Sequence, residues 1–169
     1  MSGINDARYW NEMLDLKRLL GAGLLYEVGI PDFSLAAGLS RSFGGVTGNR
    51  PVYIALVSVA IIGSRNVRFE NFVGGTISGG TTRPQLPRNH FRPLLPTPFV
   101  SLEDDISVDV PGTLVSVSSF SDASPTGSAS LFINRPDTLY YTTVTNDDNQ
   151  AADSIDVAQL MARYKEDLP

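Results

Sequence analysis

The chain predicts a mainly β protein, an antiparallel β-sandwich with one helix near each end. Two adjoining stretches carry that expectation. In Val52–Ile62 only Ser58 is strongly polar and β-branched residues dominate, as in a strand covered on both faces. After Gly63-Ser64 the chain resumes as Val67-Arg68-Phe69-Glu70-Asn71-Phe72-Val73, apolar and polar in alternation. That period marks a strand with one wet face. Two long strands meeting at a Gly-Ser-Arg corner are the inner part of a sandwich.

The remaining elements follow in order. Residues 5–20 read as a helix: Asn5 or Asp6 caps it, Trp10, Met13, Leu14 and Leu20 recur near helical spacing, and Gly21 stops it. Residues 21–50 are broken by Gly29, Pro31, Gly44-Gly45 and Gly48 and read as loop, with one short helical turn over 33–39. Five prolines between Pro84 and Pro98 make 74–98 a Pro/Gly-rich arm rather than central sheet. Residues 105–117 alternate again through Ile106, Val108 and Val110, with Pro111-Gly112 as a turn or bulge. The Ser-rich stretch 118–130 reads as an exposed loop, and 130–133 and 138–145 as further short strands. Residues 154–166 present Val157, Leu160, Met161 and Tyr164 at helical spacing, the pattern of a terminal amphipathic helix. All of this fits one domain spanning 1–169.

Composition narrows the function classes. The 169 residues are 42% hydrophobic and only 18% charged, and carry a net charge of −5. No basic run exceeds two residues, so the electrostatic footprint of a nucleic-acid binder is missing. There is no cysteine, which removes disulfides, thiolate metal sites and a cysteine nucleophile. The longest apolar run is too short to cross a bilayer as a helix. No secretory signal and no Asn-x-Ser/Thr site is visible.

No catalytic constellation emerges. His90 is the single histidine, flanked by Arg88 and Arg92, with no orienting carboxylate or positioned serine nearby in sequence. Glu103-Asp104-Asp105 and Asp147-Asp148…Asp153 offer oxygen ligands of the kind Ca²⁺ takes, without the spacing of an EF-hand. The glycine pairs match neither phosphate-loop pattern. The chain therefore predicts no enzyme and no cofactor.

Three pieces in this order resemble the capsid proteins of picorna-like RNA viruses, particularly the insect-infecting groups. Asp15-Leu16-Lys17-Arg18-Leu19-Leu20 is similar to the Ser-x-Arg-x-Leu-Leu helix that follows the second strand of their jelly rolls. Ile62-Gly63-Ser64-Arg65-Asn66-Val67-Arg68-Phe69 resembles their Arg-Gly-Ser-x-Arg-Tyr/Phe corner. Ile106-Ser107-Val108-Asp109-Val110-Pro111 is similar to their Val-x-Val-Pro strand. The chain departs from the pattern at Ile62, where the family has arginine, and at Gly112-Thr113-Leu114, where it has two aromatics and a serine. Because the chain begins almost at the helix, the resemblance implies a jelly roll lacking its first strands, as in a fragment or cleavage product.

The resemblance implies a non-enzymatic shell subunit, assembled with sibling capsid subunits in the host cytoplasm into an icosahedral virion. Genomic RNA would be met only indirectly. The residues it singles out for assembly are Arg18, Arg65 and Arg68, to which the arm adds His90, Phe91, Leu94, Leu95 and Phe99. Rival expectations are a carbohydrate-binding β-sandwich using Tyr140-Tyr141, Phe91 or Phe99 as exposed aromatics, and a phage tail or decoration protein.

Overall fold

A computed structural model describes residues 25–48, 52–82, 86–87, 99–121, 131–133 and 137–163. Among the described residues every regular element is a strand. The first seven are β1 (Leu25–Leu35), β2 (Ser40–Thr47), β3 (Val52–Ile62), β4 (Val67–Val73), β5 (Thr76–Ser78), β6 (Thr81–Thr82) and β7 (Leu86–Pro87). They are followed by β8 (Phe99–Asp104), β9 (Ser107–Val110), β10 (Thr113–Phe120), β11 (Leu131–Ile133), β12 (Leu139–Asn146) and β13 (Ala152–Arg163).

One sheet runs β11-β3-β13-β1-β7 and the other β10-β4-β12-β2-β8-β6, while β5 and β9 form a two-stranded ribbon. The strand pairings among the described residues are antiparallel, and four of them nest. β1 pairs with β13, β2 with β12, β3 with β11 and β4 with β10. Further pairings, β3 with β13 and β4 with β12, roll this nested hairpin into two layers. The Gly63-Ser64 corner is thus where the chain passes from one sheet to the other.

Alternation decides what each strand buries. On β4, Val67, Phe69 and Asn71 are buried, while the alternate residues Arg68, Glu70 and Phe72 are half-buried. The cluster between the sheets joins Phe33 and Leu35, Phe43, Val59 and Ile61, Val67 and Phe69, Phe120, Tyr140 and Val144, and Ile155 and Val157. Each fully buried aliphatic or aromatic side chain is worth about 1.5–3 kcal/mol. Phe69 and Phe120 meet edge to face, with ring centroids 5.0 Å apart. One ion pair sits at the border of this core. Arg41 donates through Nε and Nη2 to the two carboxylate oxygens of Asp104, at 3.0 and 2.7 Å, and lies over the Phe33 ring. The hydrogen bond that Arg41 donates to Asp104 holds the Arg41 guanidinium above its ordinary value.

Three expectations are corrected. Residues 154–166 were expected as a helix, but Ala152–Arg163 is a strand that fills the gap between β3 and β1. Ile155 and Val157 are buried while Asp156 between them is exposed, a period of two that outweighs the helical spacing of Val157, Leu160 and Met161. Pairing on both sides decides the matter. Second, much of the stretch expected as loop, 21–50, is β1 and β2, so two strands stand ahead of β3 where none was expected. Both also follow Asp15-Leu16-Lys17-Arg18-Leu19-Leu20, which therefore does not come after the second of the described strands. Third, β10 extends to Phe120, beyond where the exposed loop was expected to begin. The helix expected over 5–20 lies outside the described residues.

Gly44 and Pro31 misled for specific reasons. A Cβ on Gly44 would overlap the carbonyl oxygen of Tyr140, so this glycine marks close approach of β2 to β12. Pro31 falls where the register between β1 and β13 shifts, between Ile30 and Phe33, where a missing donor is tolerated.

Candidate assembly surface

The corner between β3 and β4 carries the second of the family-like motifs, and it is tied down rather than open. Ser64 is buried and donates through Oγ to Asn146 Oδ1 at 2.9 Å. Asn146, also buried, donates through Nδ2 to the carbonyls of Leu35 at 3.1 Å and Gln150 at 2.8 Å. The backbone of Asn146 exchanges hydrogen bonds with the β1–β2 turn, from Gly38 N and to Leu39 O. One side chain therefore links three connections at one end of the sandwich. Arg65 N donates to Asp148 Oδ2 at 2.7 Å, and this bond is the main reason the Asp148 carboxyl sits below its ordinary value. Arg68 pairs with Asp147, Nε to Oδ2 at 2.9 Å without hydrogen-bond alignment, and donates through Nη2 to Oδ1 at 3.2 Å.

A second construction lies on the other face of the sheet that holds β4. Tyr140 points into the core, so its neighbour Tyr141 points away from it, and yet Tyr141 is only 1% exposed. Its ring stacks on Phe72 at 4.9 Å, and its hydroxyl accepts from Gly112 N at 2.9 Å. The ribbon of β5 and β9 begins beside this bond. It leaves the sheet after β4 and before β10, and the chain rejoins at the opposite edge, where β6 pairs with β8. At its root Gly75 has a φ of 83° and packs against Val110 O and Gly112 N, space a side chain would fill.

β10, the outermost strand beside this root, is the candidate surface. Leu114, Val115 and Val117 are 46%, 41% and 51% exposed, and Val110 just before the turn is 55% exposed. Thr113–Phe120 contains no charge and no proline. On the neighbouring β4, Glu70 stands opposite Val117 and Arg68 opposite Ser119, and Arg68 lies 3.7 Å from Glu70 as well as pairing with Asp147. An uncharged, apolar edge strand can receive another strand through its outward backbone groups.

The residues singled out from sequence are not gathered at one place. Arg65 and Arg68 stand at the corner end of the sandwich. Phe99 opens β8 opposite Thr47, at the other end of β2 from Ser40, which faces Thr145 and through it Arg68. Arg18, His90, Phe91, Leu94 and Leu95 lie outside the described residues. Tyr140 and Tyr141 are both buried and offer no exposed aromatic platform for a sugar. Asp104 is occupied by Arg41, Asp147 by Arg68 and Asp148 by backbone amides. Among the described residues no group of three His, Cys, Asp or Glu is placed to hold a metal ion, and no helix is long and apolar enough to cross a membrane. Sequence reasoning found the strand containing Leu114, Val115 and Val117 but not its importance. The signal available was the uncharged run Thr113–Phe120.

Comparison of the chain with protein-family models, curated proteins and solved structures returned no match.

Proposed function

We propose that this chain is a structural subunit of a virus shell, a jelly-roll β-sandwich that assembles with sibling subunits into an icosahedral particle. The observation that carries the reading is the nested strand order. First pairs with last, second with penultimate, and so inward to β4 with β10, with the sheets ordered β11-β3-β13-β1 and β10-β4-β12-β2 at their centres. An eight-stranded double Greek key has this order, and capsid and lectin domains are built on it. Strands β1 and β2 supply the first pair that the sequence resemblance left without a counterpart.

Fold alone does not specify function, so the surface must carry the distinction. A lectin-like module would present a polar or aromatic site, and Tyr140 and Tyr141 are buried. An assembly subunit presents apolar side chains without competing charge, as β10 does. The mechanism on this reading is shape-complementary association, with the tied corner at Asn146 holding the connections rigid.

The test is electron microscopy of sedimented material from the native source. Uniform closed particles containing this chain are the expected result. A chain that remains a compact monomer at high concentration, alone and with the proteins that accompany it, overturns the reading.

A further inference from the structure

We draw no further inference here: the strongest candidate, the exposed apolar strip that Leu114, Val115 and Val117 form along β10 with Val110 beside it, carries nothing, because nothing in the structure shows what covers it.

Discussion

Replacing Asn146 by alanine tests how the corner end of the sandwich is held. The side chain makes four hydrogen bonds: from Ser64 Oγ at 2.9 Å and Asp148 N at 3.2 Å, and to Leu35 O at 3.1 Å and Gln150 O at 2.8 Å. Asp148 and Gln150 are accessible enough to take water instead, so their bonds are lost at little cost. Ser64 is buried and Leu35 is 7% exposed, so the Ser64 hydroxyl and the Leu35 carbonyl are stranded. A buried polar group left without a partner costs about 1–3 kcal/mol. Ser64 keeps one bond from Asn66 N at 3.3 Å, which places its share near the lower end. The sum is a loss of about 2–4 kcal/mol, out of a total of about 5–15 for a domain. Urea unfolding should show the midpoint falling with an unchanged slope. By calorimetry a loss of about 3 kcal/mol lowers Tm by roughly 6–12 °C at this chain length. Combining Asn146→Ala with Ser64→Ala should cost less than the two separately, since they share one bond. A loss below about 0.5 kcal/mol would refute the argument that this side chain joins the three connections.

Other outcomes follow from the roofed tyrosine, the ribbon root and the acidic turn. Tyr141→Phe removes the acceptor of Gly112 N and should cost about 1 kcal/mol, with faster hydrogen exchange at Gly112 by NMR. Gly75→Ala forces a side chain into φ 83° against Val110 O and should destabilise by about 1–3 kcal/mol, measured by thermal unfolding; a neutral result refutes the packing at the root. Asp148 is held below its ordinary value, so its stabilising share is complete above the usual carboxylate range and is lost as pH falls through the lowered value. Asp148→Asn should therefore flatten the acid limb of the stability profile, and an unchanged limb would refute this role.

The legible parts of the fold were those whose strands state their own period. β3 and β4 read correctly because a continuous apolar run and a clean alternation meet at Gly63-Ser64, and β12 because Tyr140, Thr142 and Val144 alternate. β1 and β2 were hidden by Pro31 and Gly44-Gly45, which are breakers in isolation but sit at a register shift and a close strand approach in the fold. β13 was misread because Val157, Leu160 and Met161 satisfy helical spacing as well. What excludes the helix is the vacancy between β3 and β1, a property of the partners and not of the segment. The candidate surface was hidden in the same way. That Leu114, Val115 and Val117 lie on an outer edge depends on which strands fail to cover them, which no local pattern records.

The place of β13 in its sheet has a consequence for how the protein comes into being. It is the last of the described strands to leave the ribosome, yet it occupies the middle of its sheet, with Leu25 opposite Ala162 on one side and Val52 opposite Arg163 on the other. Until it emerges, β1 and β3 have no common neighbour, and the sheet exists only as two separated margins. Closing contacts between such distant positions carries an entropy penalty before any stabilisation returns, the regime of slow, millisecond-to-second folding. Until then β1 and β3 lack the partner that joins them, and the yield in a cell should depend on protection during that interval more than on the stability of the finished domain.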